Sequence, residues 1–251
     1  MNFQIAYFRF YEELNDFLPV EKQKKEFTFQ FNGTPSIKDA IEAIGVPHTE
    51  IDLILVNGQS IDFSYHLQHN DHISVYPTFE SFDISNIIKL RAAPLREAKF
   101  VLDVHLGKLA KYLRLFGFDA LYQRNYNDEE IIRISQQARI ILTRDKGILK
   151  NNAVTHGYWI RNTNPLEQIK EVLHRFDLIS NVTPFIRCIE CNHPLTKIDK
   201  EAIADKLPEK TNFYFNDFYE CKECHRIYWQ GTHYKKLKNI VDDILLNYKI
   251  D

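Results

Sequence analysis

All four cysteines fall into two Cys-x-x-Cys pairs: Cys188 with Cys191 in "RCIECNHPL", and Cys221 with Cys224 in "YECKECHRIYWQG". Two such pairs, each followed by a turn, supply four thiolates in a tetrahedron, the donor set that holds Zn2+. Four cysteines leave no open coordination position, so this zinc is expected to be structural. The long stretch between the pairs fits a ribbon with an inserted loop. His193, His225 and His233 are near by, but the sulfurs suffice without them. A second set is acidic. Asp103 follows the apolar residues 100–102, Asp145 follows the apolar residues 140–142 by way of Thr143 and Arg144, and Asp128 stands at the front of "NDEEIIRISQQA". Clustered carboxylates repel, and burying them unpaired is costly. A hard cation such as Mg2+ or Mn2+ removes that cost and bridges to phosphate. It activates water and stabilises in-line displacement at phosphorus, so the set suits phosphodiester hydrolysis. Taken singly, Asp128 reads as a helix-dipole partner and Asp145 as a turn residue.

The elements around these acids are what must bring them together. "KFVLD" reads as a strand, residues 105–116 as a helix stopped by Gly117, "FDALY" as a strand and "NDEEIIRISQQA" as a helix capped by Asn127. The strand "RIILT" follows, then "YWIRN", then a helix with Asn164 as cap and Pro165 at its first position. Strands alternating with helices imply right-handed parallel crossovers. Sites in such sheets form beyond the carboxyl ends of the strands, where Asp103 and Asp145 would stand. Lys108, Lys111 and Arg114 lie three apart and share a helix face that suits a nucleic-acid backbone. Arg144 and Lys146 read equally as phosphate contacts or as solvated charges.

Charge divides the chain into modules. Residues 1–80 hold 5 Lys+Arg against 12 Asp+Glu, residues 81–185 hold 16 against 11, and the remainder is balanced. The basic middle can attract a polyanion. The first module runs strand, strand, helix, strands, the order of a β-grasp domain. Asn57-Gly58 is its hairpin turn, Ser36 or Thr34 caps its helix and Gly45 stops it. His48 and His66 are loop histidines, read as surface residues rather than metal ligands. No apolar run reaches the ~18 residues of a membrane span. The N-terminus has strand-like alternation and early acids, unlike a signal peptide, so a cytoplasmic location is expected. In a reducing compartment, paired cysteines bind zinc rather than form disulfides.

The stretches "FRFYEELNDFLP", "GVPHTEIDLILVNG", "DFSYHL" and "ISVYPTFE" resemble the ubiquitin-like ThiS/MoaD group. They are most similar to the ubiquitin-like domain that precedes Mut7-C nuclease domains. Sulfur carriers of that superfamily end in a free Gly-Gly, whereas this chain runs on past Glu80, which argues against sulfur transfer. "LDVHLGKLAKYLRLFGFDALY", "NDEEIIRISQQARIILTRDKGIL" and "LEQIKEVL" resemble the Mut7-C RNase domain, a PIN-like fold. "RCIECNHPL" and "YWQGTHYKKL" are similar to the zinc ribbon that closes it. The resemblance implies that Asp103, Asp128 and Asp145 are the acidic metal-site residues, with Thr143 orienting the last. PIN nucleases commonly use four acids, and Glu129 and Asp119 are the candidates for the fourth.

The expected architecture is multidomain, α/β and α+β. It comprises a β-grasp domain at 1–80, a linker at 81–97 and a PIN-like parallel-sheet domain at 98–184. A zinc ribbon with a C-terminal helix occupies 185–251. Tyr214, Phe218, Tyr228 and Trp229 are read as ribbon core rather than as base-stacking groups. The leading reading is a metal-dependent ribonuclease acting on RNA, with structural Zn2+ and catalytic Mg2+ or Mn2+. Two alternatives stand beside it: an RNA-binding protein with little hydrolysis, and a β-grasp adaptor that docks a protein partner.

Overall fold

The computed structural model describes residues 3–77 and 98–247. The expected linker at 81–97, with Arg91 and Arg96, lies outside the described residues. The fold is mixed α/β: an N-terminal mixed sheet, central strands that pair in parallel, and a C-terminal ribbon carrying the cysteines. Contacts gather the chain into two compact units, one of Met1–Glu97 with Ile132–Trp159, the other of Ala98–Ile131 with Ile160–Asp251.

In the first unit, β1 (Gln4–Phe10), β2 (Phe27–Phe31), β3 (Ile51–Val56), β4 (Gln59–Ile61) and β5 (His72–Pro77) form a sheet in the order β2-β1-β5-β3-β4. The β1–β5 pair is parallel, and the others are antiparallel. Alternation along β1 buries Ala6, Phe8 and Phe10 on one face, against Ile37, Ala40 and Ile41 of helix α1 (Ile37–Ile44). Ser36 caps α1 by accepting the Asp39 N–H at 3.1 Å, and Gly45, at φ +126°, ends it. Asn57 and Gly58 both take positive φ, as the tight turn between β3 and β4 demands.

The same unit holds the later strands β8 (Ile140–Thr143) and β9 (Gly157–Trp159), paired in parallel. Residues 146–159 dock on the N-terminal domain through polar groups. Lys150 Nζ donates to the Glu42 carbonyl (2.9 Å), the Trp159 N–H to Glu50 (2.6 Å), and Lys38 to Asn152 (2.7 Å). Trp159 packs against the core of that domain, 5.1 Å from the Phe17 ring. His48 is not the surface residue expected from its loop position. It is 7% exposed, because its ring closes this docking between Glu42 and the Val154 carbonyl.

In the second unit, β6 (Lys99–Leu102) pairs in parallel with β7 (Asp119–Leu121). Helix α2 (Gly107–Leu115) connects them. Its Leu109, Ala110 and Leu113 are buried, as their spacing predicts. Helix α3 (Asp128–Ser135) starts at a reciprocal cap: the Glu130 N–H donates to Asn127 Oδ1 and the Asn127 N–H to Glu130. Helix α4 (Pro165–Arg175) is capped by Asn164 and packs beside α2. The ribbon is β10 (Leu195–Ile198), β11 (Phe218–Cys221) and β12 (Ile227–Trp229), antiparallel in that order. Short helix α5 (Glu209–Tyr214) sits in the insertion between the cysteine pairs, and α6 (Thr232–Asn247) ends the described chain.

Gly117 ends α2 at φ +100°, and a Cβ there would lie 2.2 Å from the Thr183 carbonyl oxygen. Both the left-handed backbone and the close approach exclude a side chain. Gly117→Ala is expected to destabilise the second unit by about 1–3 kcal/mol. Denaturant unfolding would read this as a lower midpoint, and an unchanged midpoint would refute the reading.

Candidate functional site

The four sulfurs lie within 4.8 Å of one another. Cys188 Sγ is 3.5 Å from Cys224 Sγ, and Cys191 Sγ is 3.3 Å from Cys221 Sγ. A tetrahedral site with metal–sulfur bonds of ~2.3 Å needs sulfurs about 3.8 Å apart, so these are near a ligating arrangement. The two pairs are built alike. The N–H of Asn192 donates to the Cys188 carbonyl (2.9 Å) and that of His225 to the Cys221 carbonyl (2.8 Å). Each residue follows the second cysteine of its pair and takes positive φ, 76° at Asn192 and 56° at His225. These left-handed residues turn the chain so that both sulfurs of a pair point inward. No disulfide links the cysteines.

The thiols do not share one fate. Burial raises Cys188, but the Tyr228 hydroxyl at 3.0 Å and the backbone N–H groups of Cys191 and Glu190 outweigh it and hold the thiol down to about 7. Burial pushes Cys191 and Cys224 up. A cation among the four would let all of them ionise.

The first pair is tied to α2 and β7. Arg114, expected on an exposed basic face with Lys108 and Lys111, is instead 3% exposed. Its Nε donates to the Ala120 carbonyl (2.9 Å), and a terminal nitrogen to the carbonyls of Ile189 (3.2 Å) and Glu190 (2.7 Å). The helix turns this position towards the ribbon, so Arg114 is removed from the phosphate-binding set. Asn192 accepts the Ala120 N–H (2.9 Å) and donates to Asp119 (2.7 Å). Asp119 thus has a structural partner, and Glu129 is exposed. Lys108 and Lys111 are exposed; Lys111 pairs with Glu190 at 2.7 Å, which holds that carboxyl below its usual range. Sequence reasoning missed the roles of Arg114 and Asn192, because no local pattern marks which long polar residue turns inward. Tyr214, expected in the ribbon core, is 71% exposed on α5, whereas Phe218 is fully buried and Tyr228 and Trp229 are partly so. The six-residue α5 is too short to cover both of its faces.

The acids sit as follows. Asp103 directly follows β6, is 8% exposed, and accepts the His105 N–H at 3.4 Å, capping the turn into α2. Asp128 is exposed at the first position of α3. Asp145 is exposed beyond the end of β8. Its N–H donates to the hydroxyl of fully buried Thr143 (2.8 Å), and its carboxylate accepts the Gly147 N–H (2.7 Å). Arg144 accepts through its carbonyl from Trp159 Nε1 (3.3 Å). The Lys146 ammonium lies 3.8 Å from the Trp159 ring centroid and 4.7 Å from that of Phe17, a cation–π placement that neither sequence reading of Lys146 foresaw.

No described helix is long and apolar enough to cross a membrane. A family profile described as the Mut7-C RNAse domain matches residues 98–241, and one described as Mut7-C ubiquitin matches residues 3–83. The first match spans the three acids and all four cysteines. No curated protein and no solved structure matches the chain.

Asn192→Ala is expected to cost about 1–3 kcal/mol, because the buried Ala120 N–H loses its acceptor. Unfolding of the metal-saturated protein should show it; stability equal to that of the parent would dismiss Asn192 as a tie.

Proposed function

Because this chain belongs to the Mut7-C RNAse domain family, we propose that it is a metal-dependent ribonuclease in which Asp103, Asp128 and Asp145 supply the acidic site. The observation that carries the reading is the family match over residues 98–241. Position supports it: Asp103 and Asp145 each follow the carboxyl end of a parallel strand, where sites form in such sheets. Three carboxylates are the oxygen donors a hard cation takes, so their chemistry suits Mg2+ or Mn2+; among the described residues, the four cysteines are the group whose ligating atoms come within 4.8 Å of one another. Such an ion, when bound, supplies activated water and charge stabilisation at phosphorus.

The chain's own residues do the rest. Thr143, buried, holds the Asp145 backbone by its hydroxyl. Asp145 stays exposed and able to face a substrate. Lys108 and Lys111 remain on the exposed face of α2 and supply contacts to RNA phosphates; Arg144 and Lys146 flank Asp145 and add positive charge there. The four cysteines hold Zn2+, which closes the ribbon. A zinc tetrathiolate carries excess negative charge, and buried Arg114 beside it offsets part of that charge. The N-terminal domain belongs to the Mut7-C ubiquitin family and offers a surface for a protein partner.

Metal analysis is expected to find one Zn2+ per chain, and Cys188→Ser to lose it and unfold the C-terminal ribbon, since structural zinc binding is coupled to folding. A protein free of zinc, with the ribbon still folded, would refute this.

Asp145→Asn is the sharper test of the acidic site. An asparagine carbonyl can accept the Gly147 N–H as the carboxylate does, so the turn survives while the charge is lost. With labelled RNA and Mn2+, cleavage is expected to fall at least ~10²-fold, while the melting temperature is unchanged. Cleavage that survives the substitution would leave Asp145 a turn residue only. The same assay run on DNA, with a panel of metals, settles nucleic-acid preference.

A further inference from the structure

The His48 ring makes two hydrogen bonds, and both partners are acceptors. Its Nδ1 lies 2.6 Å from the Glu42 carboxylate and its Nε2 lies 2.8 Å from the Val154 carbonyl. A carbonyl has no proton to give. A carboxylate, when ionised, likewise only accepts, and the Glu42 side chain is 17% exposed. A neutral imidazole donates from one nitrogen only and would aim a lone pair at the other oxygen. We propose that His48 is held doubly protonated as a charged staple, through which the ubiquitin-like domain acts in cis to position the Asp145 turn.

Other charged groups around the ring agree with this placement. Glu42, on α1, is the counter-charge. Lys150, from the facing segment, spends its ammonium on the Glu42 backbone carbonyl. Glu50, from the same turn as His48, accepts the Trp159 N–H. His156, on the facing segment, is bonded through Nδ1 to the Thr155 hydroxyl (3.0 Å). The Phe63 ring stands edge-on to His48, centroids 5.8 Å apart.

The path to Asp145 is short. The staple fixes Val154, and Glu50 fixes Trp159. Trp159 in turn holds the residues on either side of Asp145: its Nε1 donates to the Arg144 carbonyl, and its ring carries the Lys146 ammonium. His48 is thus a positioning residue acting through Val154, on the same segment that carries Trp159.

This positioning role rests on the reading of Asp145 as part of a ribonuclease site, but two of its three tests need no activity. In the full-length, metal-saturated protein, nitrogen-15 NMR at neutral pH is expected to show protons on both His48 ring nitrogens. A single protonated nitrogen would overturn the staple. Amide-exchange protection, corrected for intrinsic rates, is expected to drop about tenfold in His48→Gln, confined to residues 144–159. A uniform drop, or none, would overturn the positioning role. In RNA cleavage with Mn2+, His48→Gln is expected to lose about tenfold in kcat with KM unchanged, since a displaced catalytic group costs turnover rather than binding. An unchanged kcat, or a loss confined to KM, would count against it. Glu42→Gln keeps the ring and removes only its counter-charge. It serves if His48→Gln fails to fold, and local loss of protection at residues 144–159 is the expected result. If the parent protein cleaves no RNA, the ribonuclease reading fails, while the NMR and exchange results still decide the staple.

Discussion

Four sulfurs brought within 4.8 Å form a constraint that the second unit is built around. Thiols packed this closely cannot all ionise against one another, and the arrangement could hold a cation in their midst. It also demands two left-handed turns, at Asn192 and His225, to aim the sulfurs. Those turns then become anchor points. Asn192 holds Ala120 of β7, and Arg114 of α2 holds the carbonyls of Ile189 and Glu190. A helix held at one end this way has its other end set as well. The start of α2 follows directly on the turn capped by Asp103. The ribbon therefore bears on the placement of an acid far from any cysteine in sequence.

The first unit reaches a comparable result with polar bonds instead of sulfur. Residues 146–159 offer the Asn152 side chain, the Val154 carbonyl and the Trp159 N–H, and the N-terminal domain answers with Lys38, His48 and Glu50. Hydrogen bonds to charged partners are shorter and stronger than neutral ones, and a buried charge left alone is costly. Such an arrangement is specific in register: it fits one segment in one alignment. Trp159 adds area to that register by packing against Phe17 and the core behind it.

Much of this was legible in the sequence, where the signal is local. Period-two alternation in β1, the Ser36 and Asn164 caps, Asn57-Gly58, and Gly45 and Gly117 as helix stops are decided by neighbours within a few residues. So is the cysteine spacing. What stayed hidden depends on partners far along the chain. Arg114 shares helical spacing with Lys108 and Lys111, yet α2 turns it against the ribbon, while those lysines face solvent. His48 looks like an ordinary loop residue until residue 154 is brought to it. Tyr214 has the composition of a core residue and is left outside by a short helix. For the acids, the sequence gives their places beside strands and helix starts, and the capping bonds of Asp103 and Asp145 emerge only with the backbone.

The docking of residues 146–159 on the N-terminal domain bears on how such proteins can be rearranged. A ubiquitin-like fold is often thought of as a cassette, able to be lost, gained or exchanged while its neighbour carries on. Here Phe17, Lys38, His48 and Glu50 are matched to one particular stretch of the neighbour's chain. A transplanted β-grasp domain would bring the same sheet but not those four side chains. It would leave Trp159 and Val154 facing a stranger. The two parts are thus bound to drift together, substitution by substitution, and a chimera joined at the linker would inherit two sound folds without the agreement between them.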